Sequence, residues 1–271
     1  MYHILYFSGT GNTHWVANEL EHQLIKLGKE AKIYSIENSV DFTAIKPDDH
    51  IVIGFPVYGS NAPYPMQKFI STMPEGSGRL VSVFCTQASA SGDTGHHISE
   101  TLKAKGYIPH CIKHFKAPNN IHVPSFRFTK PVTCKQADAL LEKQIPNIEK
   151  YAKEITENKK AIRGNYMFAH LVGGLQRAYL DKMVAKASAQ MMVMKDRCIN
   201  CNTCTKVCPT ANITCDDGNY LFGKNCTMCM RCYSICPTAA ICFGEKNSNT
   251  KKYPRYKGHT GFFEICKDSN Q

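Results

Sequence analysis

Apolar residues in the first 158 positions fall alternately into short unbroken runs and longer, spaced stripes. HILYF (His3 to Phe7) is strand-sized, and Asn12 to Leu27 follows with Trp15, Val16, Leu20, Leu24 and Leu27 on one helical face. AKIYSI (Ala31 to Ile36) reads as a second strand, HIVIGFPVY (His50 to Tyr58) contains a third and RLVSVFCT (Arg79 to Thr86) is a fourth. Helices are expected over 65–72 and over 94–105. YIPHCIKHF (Tyr107 to Phe115) reads as a fifth strand, placed at an edge by Pro109 and its polar residues. A last helix spans 135–157, with Pro146 kinking or restarting it. Near-continuous apolar strands that alternate with helices predict an α/β fold, a three-layer, doubly wound, five-stranded parallel sheet.

Beyond this unit the pattern changes. Between the fifth strand and the last helix, KAPNNIHVPSFRFTKPV (Lys116 to Val132) is too proline-rich for regular structure and reads as a functional loop or packed flap. Residues 159–190 form a basic linker of helical tendency, whose Met and Leu positions suit packing one domain on another. A cysteine-rich domain of small α+β character follows over 191–245. A basic tail covers 246–271, with GFFEI (Gly261 to Ile265) as its apolar anchor.

Composition sharpens this division. The 271 residues carry a formal charge of +11. Residues 1–158 and 198–245 are close to neutral, whereas 159–197 hold eight Lys and Arg against two Asp, and 246–271 hold six against two acids. Such a distribution suits docking to an acidic redox partner or an anionic membrane face; independently of charge, a homodimer is among the expected assemblies. Nucleic acid is not expected, since no recognised module accompanies the charge. The start, MYHILYFSGTG, has no secretory signal pattern, and MFAHLVGGL (Met167 to Leu175) is too short to span a bilayer, so a cytoplasmic location is expected. There, fourteen cysteines argue for metal rather than disulfides.

Eight of those cysteines form two runs, CINCNTCTKVCPT (Cys198 to Thr210) and CTMCMRCYSICPT (Cys226 to Thr238). Each cysteine of the first recurs 28 residues later, and CPTANI is matched by CPTAAI. A repeat this regular predicts a pseudo-two-fold module. Cys-x2-Cys-x2-Cys wraps three thiolates around one cluster, while the fourth cysteine, followed by proline, serves the neighbouring one. Cys198, Cys201, Cys204 and Cys236 are therefore expected on one [4Fe–4S] cluster, and Cys226, Cys229, Cys232 and Cys208 on the other. Zinc more often takes two separated Cys-x2-Cys pairs. The stretch closely resembles bacterial-type two-cluster ferredoxins. Cys85, Cys111, Cys134, Cys215, Cys242 and Cys266 lack partner spacing and read as ordinary thiols.

The second motif is SGTGNT, directly after the first strand. Gly9 and Gly11 let the backbone approach a ligand. Ser8, Thr10 and Thr13 hydroxyls, the Asn12 amide and the helix N-terminus can bond a phosphate monoester through neutral donors. A Walker loop would need Gly-Lys-Ser/Thr, and a dinucleotide fingerprint would need a glycine where His14 stands. Loop, strand–helix context and domain length resemble flavodoxins. The resemblance implies FMN, its phosphate on Ser8 to Thr13. It also implies that GFPVYGSNAP (Gly54 to Pro63) faces the ring, with Pro56, Val57 and Gly59 around it and Tyr58 stacked on it. TQASASGDTG (Thr86 to Gly95) would supply Thr86 and Gly92 from the other side, although it lacks an aromatic.

Together the two halves resemble the flavodoxin–ferredoxin fusion proteins of anaerobic bacteria and archaea. The resemblance implies an electron-transfer protein linking the two-electron chemistry of FMN to one-electron clusters, with an acidic ferredoxin or reductase as partner. The alternative is a ferredoxin-dependent flavin reductase acting on a small molecule such as a quinone; no nicotinamide domain or acid–base constellation is legible for it.

Overall fold

The computed structural model describes residues 1–127, 130–157 and 159–259. Five parallel strands, β1 (Tyr2–Tyr6), β2 (Ala31–Ser35), β3 (His50–Pro56), β4 (Leu80–Gln87) and β5 (Ile108–Lys116), follow the expected runs within a residue or two. The sheet has six strands rather than five. β6 (Ala161–Ile162), from the start of the linker, pairs with Cys111 and Ile112, giving the order β2-β1-β3-β4-β5-β6. β5 is thus covered at Cys111 and Ile112, while Pro109 lies outside that pairing and beside a register shift against β4.

The alternation of side chains along β1 sorts the two faces. Leu5 and Phe7 pack with Met66 and Ile70 of α2 (Tyr64–Thr72) and with Ile98 and Leu102 of α3 (Thr94–Ala104). Ile4 and Tyr6 pack with Val16, Leu20 and Leu24 of α1 (Asn12–Lys26) and with Ile148, Tyr151 and Ile155 of α5 (Ile145–Thr156). Pro146 restarts the helix: α4 (Cys134–Glu142) ends before it, and it occupies the first turn of α5. The strand order reverses at β1, so the loops after β1 and β3 open together at the carboxyl ends of the strands, where doubly wound sheets bind ligands.

A third core joins the halves. On α6 (Met167–Ser188), Leu180, Met183, Val184 and Ala187 pack against Val123 and Phe126 of the proline-rich loop and against Met228, Met230 and Tyr233 of the cysteine-rich unit. Each fully buried side chain of this kind stabilises by roughly 1.5–3 kcal/mol. The opposite side of α6 exposes Met167, Phe168, Leu171, Leu175 and Tyr179. Among the described residues no helix is long and apolar enough to cross a membrane.

The cysteine-rich unit pairs β7 (Met191–Val193) with β10 (Ile241–Phe243) and β8 (Ile213–Asp216) with β9 (Asn219–Phe222), beside the short helices α7 (Thr203–Lys206) and α8 (Arg231–Ile235). Its sequence repeat is also a backbone repeat. Left-handed residues occur at Asn200 and Met228, at Asn202 and Met230, and at Ala211 and Ala239, with φ between 49° and 64°. The beginning of the tail is a packed strap rather than a solvated extension. Tyr253 and Tyr256 are buried, and Arg255 donates to the carbonyls of Tyr233, Ala239 and Ile241. The anchor expected at 261–265 lies outside the described residues.

Candidate functional site

Two cavities occupy the cysteine-rich unit. One is lined by Cys198, Cys201, Cys204 and Cys236, the other by Cys208, Cys226, Cys229 and Cys232. The structure thus sorts the eight thiols into the two cross-linked sets that the spacing implies. Among the described residues no group of three or more His, Cys, Asp or Glu side chains is arranged for a single metal ion. The thiols surround a space instead of closing on a point, which suits a polynuclear cluster. Backbone N–H groups already point at sulfur: Asn212 donates to Cys208 Sγ at 3.2 Å and, 28 residues on, Ala240 to Cys236 Sγ at 3.2 Å. Such bonds stabilise thiolate and tune cluster potential. Burial pushes the Cys229 thiol up to about 12 and Cys204 up to about 11, so iron must displace their protons on binding. Cys85, Cys111, Cys134, Cys215 and Cys242 line neither cavity. Cys266 lies outside the described residues.

The surroundings of the two cavities differ. Around the first, Cys201 is exposed together with Ile199. Around the second, Cys229 is buried against the N-terminal domain. A Cβ at Gly9 would lie 2.6 Å from the Cys229 carbonyl oxygen and 2.8 Å from Tyr58 Oη, so only glycine permits this approach.

The SGTGNT loop has the polarity of an anion cradle. The N-terminus of α1 has no side-chain cap and no acid in its first turn. Among the described residues, the backbone N–H groups of Thr10, Asn12 and Thr13 have no acceptor. Ser8 Oγ accepts from Gly11 N at 3.1 Å, and Thr10 Oγ1 from Asn120 Nδ2 at 2.9 Å, leaving both hydroxyl protons free to donate. Asn12 departs from expectation. Its Nδ2 donates to the Pro118 carbonyl at 3.1 Å and its Oδ1 accepts from Tyr256 Oη at 2.6 Å, so its amide holds the flap and the tail in place.

Two residues expected to face the ring, Thr86 and Tyr58, meet this loop. Thr86 Oγ1 lies 2.8 Å from Thr13 Oγ1, and the Thr86 carbonyl accepts from Val57 N at 2.9 Å, linking β4, the start of α1 and the loop that follows Pro56. Tyr58 points its hydroxyl toward Gly9 and Cys229; it is buried and unpaired, as is Gln87 Oε1. Unpaired N–H groups at a helix N-terminus and a buried orphan hydroxyl fit a phosphate-bearing flavin, which supplies two-electron redox chemistry when bound.

Gly59 and Gly92 face α6. Gly59 abuts Leu180, and Gly92 abuts Ser60 and Gly173. Arg177 donates to Asp93 Oδ1 at 2.5 Å and to the Ser60 carbonyl at 2.9 Å, His170 pairs with Asp93, and Ser60 bonds Gln176. The linker helix therefore ties together the loops after β3 and β4.

A buried contact between the two domains was not among the sequence candidates. Arg231, between ligand positions 229 and 232 and 2% exposed, crosses to the N-terminal domain. It donates to both carboxylate oxygens of Glu37 (2.7 and 2.6 Å), to the carbonyls of Ser8 (2.7 Å) and Gly9 (3.3 Å), and to that of Val207 (3.1 Å). Removing one partner of so buried a pair costs about 3–5 kcal/mol. A sequence signal existed: in the internal repeat Arg231 replaces Thr203.

Fold and site together define an iron–sulfur flavoprotein. Residues 3–128 match the flavodoxin domain model and residues 190–237 the 4Fe-4S dicluster domain model. The chain joins these two domains as a flavodoxin–ferredoxin fusion, an electron-transfer protein that binds FMN and two [4Fe–4S] clusters. Among solved structures it is similar to a flavodoxin from the domain Archaea (16% identity over 58% of this chain and 96% of the other, TM-score 0.42). It is also similar to two-electron reduced Megasphaera elsdenii flavodoxin (27%, over 42% and 85%, TM-score 0.39) and to oxidised flavodoxin 1 from Bacillus cereus (16%, over 58% and 97%, TM-score 0.41). No curated protein matches the chain.

Replacing Cys236 by Ser should remove the cluster of the first run and spare the other, so iron falls from about eight to about four per chain. Loss of the second-run cluster instead, seen by iron analysis and electron paramagnetic resonance of Cys236→Ser, contradicts the crossed ligation.

Proposed function

We propose that the chain is an internal wire, passing electrons between FMN and a one-electron partner through the second and then the first cluster. Cys226, Cys229, Cys232 and Cys208 hold the inner cluster, and Cys198, Cys201, Cys204 and Cys236 the outer one. Ser8 to Thr13 receive the phosphate. The observation that carries this reading is the contact between Gly9 and Cys229: one ligand of the inner cluster lies against the phosphate loop of the same chain. Exposure increases in the same order, from Cys229 to Cys201.

The one-electron partner docks where Cys201 and Ile199 reach the surface near exposed Lys195 and Lys206, and it is acidic, as the basic balance of the chain suggests. A reductase acting on a quinone is the second reading. Against it, α6 is clamped across the two ring-facing loops by Asp93 and Ser60. Peripheral membrane contact, if the chain makes it, uses the outward face of α6. There Phe168, Leu171, Leu175 and Tyr179 are followed by exposed Lys182 and Lys186, which suit an anionic lipid surface better than a second, equally basic copy.

Electron transfer to an acidic ferredoxin should slow several-fold between low and 0.5 M salt, while quinone turnover stays negligible. A salt-independent transfer rate contradicts the docking reading, and rapid quinone turnover favours the reductase. Vesicles containing anionic lipid should pellet the protein and Leu171→Glu should abolish this; no pelleting contradicts the membrane contact.

A further inference from the structure

We infer that Arg231 makes FMN binding and assembly of the inner cluster depend on each other. The inference rests on the assignment of FMN and the two clusters above and adds a thermodynamic link between them.

The link begins with peptide geometry. In a trans peptide the C=O and the following N–H point in opposite directions. Arg231 draws the carbonyls of Ser8 and Gly9 toward the cysteine-rich unit, which turns the N–H groups of Gly9 and Thr10 the other way, toward the cradle side of the loop. Its remaining donors go to Glu37 and Val207, so every N–H of the guanidinium is used and the group has one orientation. The ring of Phe7, just before the loop, lies 5.6 Å beneath it. A preformed cradle binds phosphate more tightly than one that must be ordered on binding.

Whether Arg231 reaches this position depends on the loop that carries it. Met228 and Met230 flank Cys229 with φ of 55° and 64°. At the repeat-related positions stand Asn200 and Asn202, a residue type that tolerates the left-handed region far better than methionine does. The inner loop is thus the more strained of the two, and thiolate–iron bonds at Cys226, Cys229 and Cys232 on either side of the methionines hold it. Without the cluster the loop relaxes, Arg231 withdraws and the carbonyls of Ser8 and Gly9 lose their partner. Coupling of this kind is reciprocal, so bound FMN must stabilise the inner cluster by the same factor.

The test uses the full chain, purified without oxygen, freed of FMN and titrated with FMN by fluorescence quenching. Cys226→Ser, which removes the inner cluster, should weaken FMN binding at least tenfold, whereas Cys236→Ser, which removes the outer one, should change it less than twofold. Arg231→Lys keeps the charge but loses the fork, and should weaken FMN binding at least fivefold with about eight irons retained. Should Cys226→Ser fail to fold, stripping both clusters from wild type with a chelator supplies the comparison. In the reverse direction, FMN should slow loss of the inner cluster to that chelator. Equal FMN affinity in Cys226→Ser, Cys236→Ser and wild type overturns the coupling alone. Absence of FMN binding in all of them overturns the cofactor assignment as well.

Discussion

The two-domain architecture depends on one buried cation. The Arg231 guanidinium, carried by a cluster-binding loop, is satisfied almost wholly by the other domain: the Glu37 carboxylate and the carbonyls of the phosphate loop. A buried charge is tolerable only when its partners are fixed. Its presence therefore requires that β2, the phosphate loop and the inner cluster loop keep one mutual arrangement. Glycine at position 9 is the steric counterpart, because any side chain there would meet Cys229 and Tyr58. Two further ties act on the same junction, the flap through Asn120 and Pro118 and the tail through Tyr256.

This arrangement has a functional consequence. Electron tunnelling requires close approach, and a protein that carried its flavin and clusters on loosely tethered domains would exchange electrons at a rate set by domain motion. Here the linker is a packed helix, α6, whose inner face belongs to the third core and whose Arg177 and Gln176 hold the loops after β3 and β4. Of the thiols that line the inner cavity Cys229 is buried, whereas Cys201 of the outer set is exposed.

Much of this was legible in the sequence, for identifiable reasons. Buried parallel strands declare themselves as apolar runs, and the cysteine spacing encodes a local loop geometry, so the strands, the SGTGNT turn and the sorting of the eight thiols were all readable. What escaped was non-local. β6 is two residues long and exists only because β5 offers it an edge. Glu37, just past the end of β2, carries no motif of its own, and its partner lies 194 residues away. Asn12 sits in a phosphate motif, yet its amide is claimed by Pro118 and Tyr256, which periodicity cannot place beside it. Tyr253 and Tyr256 were hidden in a segment whose lysines made it look solvated. Arg231 had left a trace, as a basic residue in the second cysteine run where the first run has Thr203.

The central claim is that one polypeptide holds a flavin and two cubane clusters in electronic contact. The most direct measurement is an anaerobic reductive titration of the purified chain, with iron, sulfide and FMN counted on the same sample. The account predicts about eight irons, eight sulfides and one FMN per chain, and uptake of about four electrons. After partial reduction, electrons should redistribute at a rate independent of protein concentration. A colourless protein, metal accounted for by zinc, or redistribution that scales with concentration would contradict it.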